Sequence, residues 1–205
     1  IAKSKGIKLV IDITQALGVI PVFADKWNAD FLVSSGYKWL GGHGGVSLAY
    51  INKDILNVNP LNAGWMGAPN PFKMEPVKCE YFGNAKSYTQ STMSYVSIVG
   101  LEKSIQEIIK LNPSKIENHS KKISTYLMKN INKKKWQIYH NEKNINKSFH
   151  IIAIKPKSKH LEPIKVFKKL KKKNVICSLR DNRLRLSIAH FNNQKDINHL
   201  LGILN

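Results

Sequence analysis

Cysteine, arginine and acidic residues are the scarce letters of this 205-residue chain. Two cysteines, Cys79 and Cys177, cannot build a disulfide framework, and neither lies at a metal-ligand spacing from another Cys or His. The seven histidines show no His-x-x-x-His pattern, so no metal site is expected. So few cysteines make a reducing, cytoplasmic compartment the default expectation. No run of eighteen apolar residues occurs, so no membrane-spanning helix is expected. The N-terminus lacks the order of basic head, apolar stretch and small-residue cleavage site that marks a secretory signal. The first methionine is Met66, and the chain passes almost at once into the apolar run Ile7–Ile11. It therefore reads as the C-terminal piece of a longer protein.

Against 13 acids stand 33 basic residues, a formal net charge of +20. The excess is uneven. Residues 1–112 carry 11 Lys and 8 acids, whereas residues 113–205 carry 19 Lys, 3 Arg and 5 acids. A basic half of this kind attracts polyanions. Nucleic-acid surfaces, however, favour arginine for forked contacts, and here 30 Lys face 3 Arg. Together with 20 Asn, this composition reads as a bias that fills exposed positions with lysine, so neither nucleic acid nor membrane is expected as a partner. Arg180, Arg183 and Arg185 cluster where lysine evidently would not serve.

The 42% of hydrophobic residues suffices for a core. Leu9-Val10-Ile11, ending in Asp12, reads as a buried parallel strand, and Ala29–Val33, ending in Ser34-Ser35-Gly36, repeats the pattern. A third strand spans Val46–Ile51. Residues 57–90 are rich in Pro and Gly and predict a long irregular excursion. Ile98, Leu101, Ile105 and Ile108 predict a helix over 95–110, ended by Asn112-Pro113. That break divides the chain into 1–112 and 113–205. The second part reads as helices near 114–130, 166–173 and 196–204. Its strands are expected at 136–140, 150–154, 175–179 and 183–187, the last two paired around Asp181-Asn182. The fold class is thus α/β for the first part and a small α+β domain for the second.

Asp12, Gln15 and Ser34–Lys38 fall together if the first two strands are parallel neighbours, because ligands in open α/β sheets sit beyond the carboxyl ends of strands. Lys38 stands in Ser34-Ser35-Gly36-Tyr37-Lys38-Trp39, and an amine among aromatic and small residues suits imine chemistry. An acid facing a pyridinium nitrogen and a lysine forming a Schiff base are the protein side of pyridoxal phosphate catalysis. Ser35 and Tyr37 are placed to supply phosphate donors.

The stretches Asp12-Ile13-Thr14-Gln15-Ala16-Leu17-Gly18 and Asp30–Trp39 resemble the class V aminotransferase family of fold-type I pyridoxal-phosphate enzymes. That family includes cysteine desulfurases, kynureninases and isopenicillin N epimerase-like proteins. Gly64-Trp65, the Ala85–Met93 stretch, Leu184-Arg185-Leu186-Ser187, Phe191-Asn192-Asn193 and Asp196-Ile197 follow its pattern in order. The resemblance implies that residues 1–112 are the later part of the large mixed-sheet domain and 113–205 the small domain. It implies a fold-type I enzyme acting on an amino acid, with transamination, epimerisation or Cβ elimination left open. Lys38 would be the Schiff-base lysine and proton shuttle, Asp12 the partner of the pyridine nitrogen, and Gln15 that of the phenolic oxygen. Ser35 and Tyr37 would bind the phosphate. Thr92 would reach the phosphate of a partner subunit, implying a homodimer, and Arg185 would clamp the substrate α-carboxylate. Ser91 and Met93 replace the Gly and Pro that flank this threonine in the family. The first half of the large domain, which in the family stacks an aromatic on the pyridine ring and adds phosphate donors, has no counterpart in the sequence. The alternatives are a cysteine desulfurase-like C–S lyase, a basic polyanion-binding module, and a scaffold that kept the fold without catalysis. Cys177, set in an apolar strand where a thiol is usually packed and inert, speaks against the desulfurase, and Cys79 lies in the irregular segment.

Overall fold

A computed structural model describes residues 1–56, 60–62, 64–74, 80–139 and 148–205. The chain separates into two compact units, Ile1–Lys110 and Leu111–Asn205.

The first unit is built on a three-stranded sheet in the order β1 (Val10–Asp12), β2 (Phe31–Ser35), β3 (Ser47–Ile51). β1 and β2 run parallel with Asp12 opposite Val33, and β3 runs antiparallel to β2 with Ser35 opposite Ser47. The β1–β2 register is set at its start by a buried carboxylate. Asp30 accepts the Leu9 backbone N–H at 2.7 Å and the Lys3 ammonium at 2.8 Å. Those two contacts, Lys3 first, hold its carboxyl below the usual carboxylate range. Ile13, Ala29 and Leu32 form the buried nucleus under this sheet. β1 departs from the expected buried strand: Val10 is 65% exposed, because β1 lies at the sheet edge with one paired neighbour. A short helix that the apolar pattern did not announce, α1 (Ala24–Trp27), precedes β2. Within residues 57–90 the described parts hold short 3-10 turns at Trp65–Gly67, Pro71–Lys73 and Ala85–Tyr88.

Helix α2 (Tyr95–Leu111) packs its apolar stripe on the turn that follows β2. Leu101 is buried, and its side chain lies where a Cβ on Gly36 would stand, at 3.0 Å. The same Cβ would come within 2.9 Å of the Val46 carbonyl, so only glycine allows the chain to turn there.

The second unit is a four-stranded antiparallel sheet in the order β4 (Trp136–Ile138), β5 (Ile151–Pro156), β7 (Arg183–Ser187), β6 (Ser178–Arg180). Helices α3 (Pro113–Asn130), α4 (Pro163–Lys172) and α5 (Gln194–Leu204) cover one face. The core is the inward half of the strand alternation, Ile152 and Ile154 beside Leu184 and Leu186. Leu127, Leu170 and Leu200 close it from the three helices. Trp136 is 1% exposed, and its indole N–H donates to the Leu204 carbonyl at 3.0 Å, so its one polar atom is satisfied. Asp181 and Asn182 both adopt positive φ, the conformation of a two-residue hairpin turn joining β6 to β7.

Several boundaries differ from the sequence pattern for local reasons. α4 starts at Pro163, where proline suits a first helical position. α5 starts at Gln194 because Asn193 and Asp196 form a reciprocal capping box. β6 is shorter than expected, and Val175–Cys177 precede it, with Ile176 97% exposed. Cys177 is therefore outside the strand. The expected end of β4 at His140, and Cys79, lie outside the described residues.

Truncating Leu184, which has no exposed surface, to Ala should destabilise the second unit by about 2–5 kcal/mol in urea unfolding. Ile176→Ala, at a solvent-exposed position, should change stability by less than about 0.5 kcal/mol.

Candidate functional site

The parallel pairing of β1 and β2 places the carboxyl ends of both strands side by side. Three contacts then join the segments that leave them. The Ile13 N–H donates to the Val33 carbonyl at 2.8 Å. The Ser35 N–H donates to Thr14 Oγ1 at 3.1 Å. The Trp39 indole N–H donates to Gln15 Oε1 at 3.1 Å. A fourth approach is steric: Gly18 has φ +98°, and a Cβ there would stand 2.7 Å from the Trp39 carbonyl oxygen. The two segments thus meet along a seam, at Thr14–Ser35, Gln15–Trp39 and Gly18–Trp39; Asp12 precedes the first of these contacts along the chain, and Tyr37 and Lys38 lie between Ser35 and Trp39.

Each member has a definite local setting. Asp12 is solvent-exposed rather than buried, and its Oδ1 accepts the Thr14 N–H at 2.9 Å, an Asx turn. Hydrogen bonds from the Thr14 side chain, then from its backbone, hold the Asp12 carboxyl below the usual carboxylate range. Asp12 is accordingly an anion at every pH above that range. Gln15 turns its amide oxygen to Trp39, which sets the orientation of the amide plane. The Ser35 amide is committed to Thr14, so the hydroxyl is what remains of Ser35 for a ligand oxygen. Tyr37 is 53% exposed, and the Lys38 ammonium stands 4.7 Å over the centre of its ring. The Lys38 turn is closed by the Gly41 N–H to the Lys38 carbonyl at 3.0 Å and the Gly42 N–H to the Gly36 carbonyl at 2.9 Å. Ser104 Oγ of α2 donates to the Gly41 carbonyl at 3.2 Å.

Thr92 is exposed in the segment before α2, and no hydrogen bond ties it to the seam among the described residues. Arg185 lies half-buried on β7 of the second unit, opposite Ala153 of β5. Cys177 is half-buried, and desolvation pushes its thiol up, away from the thiolate. No cluster of three or more metal-ligating side chains occurs among the described residues. A cleft of about 790 Å³ in the second unit, lined by Val175, Ile176, Phe191 and residues of α5, holds none of the expected site residues. Thr14 and Trp39, which carry the seam, were not singled out by the sequence. The Asp-x-Thr spacing of an Asx turn was the available signal for Thr14.

A carboxylate, an amide, a hydroxyl and a primary amine in the segments that leave parallel strands are the donor set of a candidate ligand site of α/β type. The chain belongs to the class-V aminotransferase family, whose model matches residues 1–200. It is 25% identical over 202 residues to the uncharacterized aminotransferase YcbU of Bacillus subtilis, covering 98% of this chain and 52% of that protein. It is 29% identical over 166 residues to kynureninase of Debaryomyces hansenii, covering 74% of this chain and 35% of that protein. In three dimensions it resembles the apo cysteine desulfurase of Thermococcus onnurineus, with a TM-score of 0.84 at 19% identity, over 98% of this chain and 52% of that one. The fold is therefore fold type I. The chain spans about half the length of the proteins it matches over nearly its whole extent.

Thr14→Val removes both the side-chain donor to Asp12 and the acceptor for Ser35. The NMR titration midpoint of Asp12 should then rise toward the ordinary aspartate value, and an unmoved midpoint would show that Thr14 does not set it.

Proposed function

We propose that this chain forms the lysine-bearing part of a pyridoxal-phosphate-dependent enzyme acting on an amino acid. The observation that carries the reading is the seam joining the ends of β1 and β2, at which Thr14 meets Ser35 and Gln15 meets Trp39 in the segments that carry Asp12 and Lys38. The donor set fits the cofactor group by group. Asp12, whose carboxyl Thr14 holds below the usual carboxylate range, matches a protonated pyridine nitrogen. Gln15, oriented by Trp39, matches the phenolic oxygen. The Ser35 hydroxyl and the Tyr37 phenol suit phosphate oxygens. Lys38 Nζ is the amine that would join the cofactor's aldehyde carbon.

Pyridoxal phosphate, when bound, supplies an electron-poor ring that accepts the electron pair of a bond broken at the substrate Cα. Lys38 Nζ takes up and returns the proton at that carbon, a role that needs an amine on a fixed turn with access to solvent. The Gly36–Gly42 hydrogen bond and the Ser104 contact from α2 supply the fixed turn. Asp12 holds its charge through the cycle and orients the ring. We assign Arg185 to the substrate α-carboxylate, a task suited to a planar fork of donors. Thr92, exposed ahead of α2, is assigned to the phosphate of a second copy in a homodimer. The residues 1–112 then serve as the later part of a large cofactor-binding domain and 113–205 as the small domain. No helix among the described residues is long and apolar enough to cross a membrane, and we assign the enzyme to the cytoplasm. The raised thiol of Cys177 favours transamination, epimerisation or Cβ elimination over a persulfide-forming desulfuration by that residue.

Incubation with pyridoxal phosphate, borohydride reduction and peptide mass mapping should leave a pyridoxyl group on Lys38 alone among the 30 lysines. Adducts scattered over many lysines, or none, would refute the assignment. Lys38→Ala should remain folded and lower turnover of any amino-acid substrate by at least about 10²-fold.

A further inference from the structure

All three arginines of the chain fall on the β6–β7 hairpin, in a sequence that otherwise uses lysine 30 times. Arg180 is the direct cross-strand partner of Arg183, and Ser178 that of Arg185. Leu184 and Leu186 point into the core, so Arg183 and Arg185 point from the opposite, helix-free face of the sheet. Like charges directly opposite one another destabilise a strand pair. Among the described residues no ion pair offsets this at Arg180 or Arg183, although Asp181 sits in the turn between them.

Arg183 is held in a particular way. Its guanidinium lies 4.2 Å over the ring of Tyr139. Stacking uses the flat face of a guanidinium and leaves its N–H edge for a planar acceptor. Its buried Nε has no hydrogen-bond partner. Beside it, Ala153 is the cross-strand partner of Arg185, and its carbonyl accepts the Tyr139 N–H at 2.9 Å. Arg183, Arg185 and Tyr139 thus lie on one face of the sheet, around the small side chain of Ala153. Same-face neighbours on a strand stand about 6.8 Å apart, a separation that two carboxylates on a short aliphatic chain span.

We propose that Arg183, stacked on Tyr139, forms a second anion subsite beside Arg185 and selects a substrate that carries a second carboxylate. The assignment of Arg185 to the α-carboxylate, and so the proposed function, underlies this inference. A lysine at 183 would keep the charge and lose both the stacking and the forked edge.

The test is calorimetric binding of glutarate and of butyrate to the protein incubated with pyridoxal phosphate, in wild type, Arg183→Gln and Arg183→Lys. Wild type should bind glutarate about tenfold or more tightly than butyrate, the scale of one added charge-assisted hydrogen-bonded contact. Arg183→Gln should abolish that preference while changing butyrate affinity by less than about twofold, and Arg183→Lys should restore only part of it. Equal affinities in wild type, equal weakening of both ligands by Arg183→Gln, or preference for heparin over both would overturn the proposal. Borohydride mapping of the same samples separates the two readings. A missing Lys38 adduct with the glutarate preference intact removes the proposed function alone. A Lys38 adduct without the preference removes the Arg183 assignment alone.

Discussion

The site in the first unit depends on one constraint, the parallel pairing of two short strands. Parallel neighbours end on the same side, so the segments that leave them must share space. Here they share it by contact: Thr14 accepts the Ser35 amide, Gln15 accepts the Trp39 indole, and Gly18 admits the Trp39 carbonyl where any side chain would collide. Register follows from Asp30, which anchors Leu9 and Lys3 at the opposite end of the same pairing. A one-residue slip would break the Thr14–Ser35 contact and turn Leu32 outward. Fold and candidate chemistry are thus set by the same few hydrogen bonds.

Charge works differently in the two units. In the first, two acids are held by specific donors. Asp30 is buried against lysine and backbone, and the Asp12 carboxyl is held below the usual carboxylate range by Thr14. In the second, lysine covers the exposed faces of α3 and α4 and does little structural work there. The arginines are the exception, set on the one sheet face that the helices leave open. The same antiparallel alternation that sends Leu184 and Leu186 into the core sends Arg183 and Arg185 out of it. A hydrophobic core on one face and a cationic surface on the other are two consequences of a single period of two residues.

Much of this was legible in the residues themselves. The β2 and β7 alternation, the α2 and α5 stripes and the Asp181-Asn182 turn follow from periodicity and turn chemistry, which are local properties. Asp12 stood out because it ends an apolar run, where a charged residue needs a purpose, and Lys38 because it is set among aromatic and small residues. Periodicity could not report how deeply an element lies. Leu9–Ile11 reads as a buried strand, yet Val10 is exposed because burial depends on neighbours that another part of the chain must supply. The early starts of α4 and α5 escaped the apolar pattern because a proline and a capping box, not hydrophobic residues, set them, and the four residues of α1 are too few to show a helical period.

The sequence by itself determined the elements, the family resemblance and the set of polar residues at strand ends, because these rest on residue identity and spacing. Only the tertiary structure decided that Thr14 and Trp39 join the two strand ends, that Asp12 is exposed, and that Arg183 stacks on Tyr139. Each of these is a contact between residues 20 or more positions apart, or the result of one, and distance along the chain carries no information about distance in space until the sheet registers are made.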